Sequence, residues 1–240
     1  MKTAICKFIT LILFILYPLL NNANNVIDDE TLRVEYIEKG TYLSSIKQYS
    51  NAIEYFDKAI KLNSQKSTPY FKKACALFHL KRYEEAINEY DKAFDVNKNN
   101  KDLKAKREKQ NIFILTNKSS ILLILKRYKE AIECCDKGLS LSKEESLLYE
   151  NKEEGLFDLY NNKGVALFNL GRYAEAINNY NKAIEFRPNH IEANANKLCP
   201  LYRLGKYQEV IETADKILEI DLKNQKAINA KEQALIKLKE

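Results

Sequence analysis

The sequence is poor in the residues on which most active sites depend. Its 240 residues include only two histidines, six glycines and four prolines. It contains no glycine-rich loop that could hold a phosphate and no turn that could present a nucleophilic serine. Its many Glu and Lys residues recur at the spacing of solvent-exposed helix faces. We therefore predict that the protein is not an enzyme and uses no cofactor, no metal and no small-molecule substrate.

An excess of charge of one sign is also lacking. The net charge of +6 arises from 39 basic and 33 acidic residues that are mixed along the chain. Apart from a basic stretch around residues 98–109, no stripe of Lys and Arg interleaves with aromatic residues. This distribution predicts that nucleic acid is not a partner.

Long apolar runs are absent, and a short one lies at the N-terminus. Residues 8–20 are interrupted only by Thr10 and Pro18, follow Lys2 and Lys7, and precede an asparagine-rich stretch. A membrane span needs about 20 apolar residues, so this pattern is more typical of an export signal.

We accordingly assign residues 1–24 to a signal peptide or N-terminal anchor and residues 25–32 to a linker. A cleaved signal predicts an exported protein, either periplasmic or secreted. If the segment is not cleaved, residues 8–20 would instead anchor the protein to a membrane.

One motif recurs five times along the chain. Each copy opens with tyrosine and has Ala or Val as its fourth residue and Ile as its fifth. The intervals between copies are 34, 45, 45 and 34 residues. A fixed period of this kind indicates a stack of similar units, none of which can bury its apolar face alone. The opening residues are Tyr49, Tyr83, Tyr128, Tyr173 and Tyr207.

The copy at residues 157–190 shows how one unit is expected to fold. From Tyr160 onward, apolar or small residues recur at steps of three and four, which predicts an amphipathic helix. A turn follows at Gly171, the same spacing resumes at Tyr173, and Pro188 ends the second helix. Each unit is thus predicted to be a hairpin of two antiparallel helices.

This hairpin resembles the tetratricopeptide repeat, a 34-residue unit with large residues at positions 4, 17 and 24 and small residues at positions 8, 20 and 27. With the opening tyrosine at position 17, positions 20 and 27 are Ala or Gly in the first four copies. The resemblance implies an all-α, right-handed solenoid of antiparallel helical hairpins. The predicted repeats cover residues 33–66, 67–100, 112–145, 157–190 and 191–224, and a capping helix covers residues 225–240.

The fifth copy departs from the pattern in a correlated way. Leu198, Val210 and Ile217 replace small residues, whereas Ala214 replaces a large one. We expect the core volume to be redistributed rather than lost. Pro200 falls inside the first helix of this repeat and is expected to bend it.

The segments outside the repeats are also predicted to be helical. The capping helix is expected to cover the last apolar face with Ile228, Leu235 and Leu238. Each 45-residue interval contains an insertion of 11 residues, about three helical turns, which would lengthen a helix without changing its facing. The insertion near residues 98–109 is basic, and the one near residues 143–154 is acidic. Their side chains could form ion pairs with each other or remain solvated.

The cysteines do not indicate disulfides. Cys75 and Cys199 lie at equivalent helix positions three repeats apart, which puts them well beyond the roughly 7 Å limit for a bridge. Cys134 and Cys135 are neighbours on one helix and point in different directions. We expect Cys135 to fill core volume.

In the resembled family, the first helices of the hairpins line a concave groove, which implies a protein or peptide partner. Asn117, Asn162 and Asn196 recur at position 6 and would form a ladder of carboxamides able to hydrogen-bond an extended peptide. Asn is common in this sequence, so the recurrence equally fits composition alone. The candidate groove residues are Phe71, Cys75, Phe78, His79, Asn117, Ser120, Asn161, Asn162, Val165, Phe168, Asn196, Tyr202 and Arg203.

One use of the family, clamping the C-terminal carboxylate of heat-shock chaperones, is not predicted. In the best window Thr116 and Ser120 replace the required Lys and Asn, and Glu192 would repel a carboxylate. The sequence instead predicts an exported, non-catalytic scaffold that binds an extended segment or a helix of a partner in the groove. The alternative is a membrane-tethered assembly factor for an envelope protein complex.

Overall fold

The computed structural model describes residues 28–98, 104–142 and 152–240, and all regular structure in these ranges is α-helical. The predicted signal segment lies outside the described residues. None of the described helices combines the length and the apolar character needed to cross a bilayer. In chain order the helices are α1 (Asp29–Ser45), α2 (Tyr49–Leu62), α3 (Ser67–His79), α4 (Tyr83–Lys98), α5 (Lys104–Ile124), α6 (Tyr128–Leu141), α7 (Lys152–Asn169), α8 (Tyr173–Phe186), α9 (Ile191–Arg203), α10 (Tyr207–Ile220) and α11 (Gln225–Lys237).

The described residues divide into two compact units, one up to Ser64 and the other from Gln65 onward. The first unit contains the hairpin of α1 and α2. Gly40 of α1 lies against Phe56 of α2 so closely that a Cβ on the glycine would be 2.6 Å from the ring. Helix α1 begins within the stretch predicted as a linker, because the Asp28 side chain caps its first turn.

The second unit is a solenoid of helical hairpins that ends in α11. Each second helix contacts the first helix of its own repeat and that of the next repeat. The first helices also contact one another, α5 with α7, α7 with α9 and α9 with α11. We refer to the side formed by α5, α7, α9 and α11 as the first-helix surface. The predicted all-α hairpin architecture is confirmed.

Three of the four described junctions between successive repeats of the second unit contain the same ion pair. It joins Lys at position 7 of a first helix to Asp at position 25 of the preceding second helix. At the junction of α8 and α9 the lysine is Lys197, but position 25 is occupied by Asn181. The observed pairs are Lys118 with Asp91, Lys163 with Asp136, and Lys231 with Asp215.

The turns inside the hairpins share one backbone feature at position 15. The residue there adopts the left-handed conformation, and the following amide bonds back to the helix, as when Arg127 N donates to Leu122 O at 2.8 Å. This conformation is strained for lysine and unstrained for glycine. The φ angles are 62° at Lys47, 60° at Lys81, 59° at Lys126, 76° at Gly171 and 72° at Gly205.

The core of the fifth repeat shows the predicted redistribution of volume. Leu198, Val210, Ala214 and Ile217 are all buried within one cluster. The larger residues Leu198, Val210 and Ile217 therefore fill the space that Ala214 leaves. Pro200 lies inside α9, which continues beyond it to Arg203.

Helix α11 covers this core through a different face from the one predicted. Ala227 and Ala234 are fully buried in the cluster, whereas Leu235 and Leu238 are 40% and 52% exposed. The prediction from Leu235 and Leu238 was wrong because small side chains allow α11 to approach α9 and α10 closely. Ile228 is half-buried.

The insertions lengthen first helices at their N-terminal ends. Helix α5 begins at Lys104 and α7 at Lys152, before the predicted repeat starts at 112 and 157. The buried Asn97 donates to the carbonyl of Arg107 at 2.9 Å and to Oδ1 of Asn111 at 2.8 Å, which joins the end of α4 to the extended α5. Most of the acidic insertion lies outside the described residues, so pairing between the insertions stays a prediction.

Candidate functional site

The residues predicted for the groove lie on four first helices of the second unit, and the structure brings only some of them together. Helix α3 carries Phe71, Cys75, Phe78 and His79; α5 carries Asn117 and Ser120; α7 carries Asn161, Asn162, Val165 and Phe168; and α9 carries Asn196, Tyr202 and Arg203.

The residues on α3 contribute to packing within their own repeat. The Phe71 ring lies 5.7 Å from that of the buried Tyr90, and the Cys75 Sγ is 3.3 Å from the Tyr90 hydroxyl. Burial raises the pKa of the Cys75 thiol, and the hydrogen bond to Tyr90 opposes this shift only in part. The Phe78 ring lies 5.9 Å from that of Tyr83. Phe168 with Tyr173 and Tyr202 with Tyr207 make the same contact in their own hairpins, at 5.7 and 5.3 Å. Hairpin packing is therefore common to these aromatic residues, and the groove role of the α3 residues stays a prediction.

Asn162 and Asn196 join neighbouring first helices. Nδ2 of Asn162 on α7 donates to the hydroxyl oxygens of Ser119 and Ser120 on α5 at 2.9 and 3.0 Å. Nδ2 of Asn196 on α9 donates to Oδ1 of Asn161 on α7 at 3.2 Å. Two members of the predicted ladder therefore hold the first-helix surface together.

Asn117, the third member of the ladder, donates from Nδ2 to the carbonyl of Phe113 in its own helix at 2.8 Å. All three amide nitrogens thus already donate within the fold. Each carboxamide carries two N–H donors and an oxygen acceptor, so a bound peptide could still use the second N–H of Asn117 or Asn196, or the carboxamide oxygens. Asn162 and Asn196 thus contribute to repeat packing and Asn117 does not, a difference that the sequence could not show because it does not reveal hydrogen-bond partners. Peptide binding by the ladder stays a prediction.

An open cavity of about 740 Å³ lies between α7, α9 and α11, a volume typical of ligand sites. Its floor includes the buried Tyr180, whose ring packs on Gly164 so closely that a Cβ there would lie 2.5 Å from the ring. Five predicted residues converge on this cavity: Val165, Phe168, Asn196, Tyr202 and Arg203.

Helix α11 completes the wall of the cavity with residues that sequence reasoning missed. Lys226, Asn229, Ala230 and Gln233 line it from this side. The sequence does indicate these residues if the 34-residue repeat frame is continued from residue 225. They then take positions 2, 5, 6 and 9, which line the groove in the other repeats. They were missed because the capping helix was treated only as a cover for the core.

The cavity combines an apolar lining with positive charge at its rim. Arg203 and Lys226 both line it, and no aspartate or glutamate does so within the part of the chain that the structure describes. Cys199 contributes an exposed thiol to the wall. Burial raises the pKa of Tyr180, so its hydroxyl stays neutral. The site can accept apolar groups and attract carboxylates.

The neighbouring cysteines of α6 are sheltered. Burial raises the pKa of Cys134 to about 11 and that of Cys135 to about 12. Cys135 is fully buried and packs in a cluster with Leu159, as predicted. Both thiols are therefore protonated at neutral pH and poorly reactive.

Several known structures have a similar fold at low sequence identity. YrrB, described as a TPR protein with an unusual peptide-binding site, is 23% identical, with a TM-score of 0.64 over 88% of this chain and 95% of that one. MamA from Desulfovibrio magneticus RS-1 is 16% identical, with a TM-score of 0.65 over 81% of this chain and 97% of that one. Pseudomonas aeruginosa pilF is 16% identical, with a TM-score of 0.62 over 84% of this chain and 90% of that one. No curated protein matches.

Sequence models of the tetratricopeptide repeat match residues 36–66, 68–100, 114–145 and 157–190. The matched segments coincide with four hairpins of the structure and together make up more than half of the chain. The hairpin of α9 and α10 continues the same arrangement beyond them. This chain therefore belongs to the tetratricopeptide repeat family.

Proposed function

We propose that the protein is a non-catalytic scaffold that binds a segment of a protein partner on the first-helix surface. The observation that carries this proposal is the open cavity in which predicted groove residues of α7 and α9 meet α11. Its apolar lining suits side chains, and its amide groups suit a peptide backbone. The peptide-binding site named for YrrB, a protein of similar fold, supports the same role.

Affinity capture from the native cell tests this proposal. Ala195 lines the cavity, so Ala195→Trp should block it and abolish capture of the partner. Ala174 is exposed on the second helix α8, so Ala174→Trp is the matched control and should retain capture. Circular dichroism verifies that both variants fold. A partner that is still captured by the Ala195→Trp protein would contradict the proposal.

We further propose export, because the N-terminal run of residues 8–20 has the composition of a signal. N-terminal sequencing of the protein from its native cell tests this point. A mature chain that starts near residue 25 supports export, whereas an intact N-terminus in a membrane fraction supports the anchored alternative.

A further inference from the structure

We infer that the segment bound in the cavity of α7, α9 and α11 is acidic, with an apolar residue between two carboxylate side chains about five positions apart. This inference rests on the proposed function and specifies the chemistry of its ligand. It depends on the positions of the two cations relative to the apolar lining.

The apolar residue is the anchor. Val165 and Phe168 of α7 face the cavity, as do Leu198 and Tyr202 of α9. These side chains come from two first helices of neighbouring repeats, so a single apolar residue that enters between them would contact both. Burial of such a side chain supplies non-directional affinity.

The cations lie at opposite ends of neighbouring helices. Arg203 is the last residue of α9, and Lys226 is the second residue of α11. Helices α9 and α11 run in the same direction because the antiparallel α10 separates them. In the repeat frame the two cations stand at positions 13 and 2, a difference that corresponds to about 16 Å along the helices at 1.5 Å per residue.

This separation specifies the ligand. Together with about 8 to 10 Å between the axes of packed helices, it puts the two cations about 18 to 19 Å apart. An extended chain advances by about 3.3 to 3.6 Å per residue, so about five to six residues span that distance. A single terminal carboxylate could reach only one of them. Two side-chain carboxylates on an internal segment could engage both, and no acidic residue of the described chain lines the cavity to oppose them.

Selection from a displayed library of random twelve-residue peptides on the full chain tests the inference. We expect enriched peptides to contain an apolar residue between two acidic residues four to six positions apart. Arg203→Gln and Lys226→Gln should each weaken binding of an enriched peptide about five- to twentyfold. Lys239→Gln removes the same charge beyond the end of α11, outside the cavity lining, and should change affinity less than twofold.

Cys199 locates the bound peptide independently. Its thiol lines the cavity, so an enriched peptide should slow its alkylation by N-ethylmaleimide. A Cys199→Ser protein should lack the alkylation that the peptide slows. Enriched peptides without paired acidic residues, or unaffected by both charge variants, would overturn the inference while leaving peptide binding intact. A library without any binder would count against both the inference and the proposed function.

Discussion

At the scale of single residues, position 15 shows how the same backbone state is reached with different side chains. Lys126 and Gly171 have φ angles of 59° and 76° in equivalent turns. A Cβ at Gly171 would meet nothing within 4 Å, so we attribute the difference between the two residues to backbone strain.

Exchange of these residues should therefore shift stability in opposite directions. Lys126→Gly should raise the free energy of unfolding by about 1 kcal/mol, because it relieves left-handed strain, and Gly171→Lys should lower it by a similar amount. Denaturation by urea measures both changes. Shifts of the same sign would contradict the strain argument.

At the scale of elements, the contacts between first helices depend on few polar side chains. Asn162 bridges α7 to two serines of α5, whereas Asn179 donates to the carbonyl of Glu175 in its own helix at 2.8 Å. Asn162→Ala should lower the free energy of unfolding by about 0.5 to 1.5 kcal/mol. Asn179→Ala is the matched control and should leave it nearly unchanged. If both variants melted alike in urea, Asn162 would not be a link between repeats.

The junction of α8 and α9 offers a second test, which concerns charge. Burial and the neighbouring Lys216 lower the pKa of Lys197 below its ordinary value of 10.5. Between these two pKa values the unfolded chain binds more protons than the folded chain, so stability should rise with pH in that window. Asn181→Asp restores the aspartate found at the other junctions and should raise the pKa of Lys197. The increase of stability with pH should then be smaller.

At neutral pH, Asn181→Asp should also stabilise the protein by about 0.2 to 1 kcal/mol, and salt should weaken the gain. Asn178→Asp adds the same charge at an exposed site of α8, away from position 25, and serves as the control. Urea denaturation at several pH values and salt concentrations measures both effects. An equal gain from the two variants would indicate a general effect of net charge.

The elements also show what the sequence could predict. The hairpins and the compensation between Leu198 and Ala214 followed from spacing and volume, because burial imposes both on the sequence. The roles of the asparagines did not follow, since Asn162 and Asn117 occupy the same repeat position but donate to different partners. The alanine face of α11 did not follow either, because residue size favours Leu235 as the cover, whereas Ala227 and Ala234 are the buried residues.

At the scale of the whole molecule, α11 both covers the core and walls the cavity. Removal of residues 225–240 should expose Leu198 and Val210, lower the melting temperature and reduce solubility. Removal of residues 238–240 alone leaves α11 intact and should have little effect. Thermal melting and light scattering measure the outcome, and equal behaviour of the longer deletion and the full chain would contradict the capping role.

Because α11 both covers the core and lines the cavity, ligand binding is coupled to local unfolding of this helix. Terminal elements of a repeat stack open more often than internal ones, and every opening of α11 removes Lys226 and its neighbours from the cavity wall. The apparent affinity is then the intrinsic affinity multiplied by the fraction of molecules with α11 docked. A ligand in the cavity should accordingly slow amide hydrogen exchange most strongly in α11, even at residues that it does not touch.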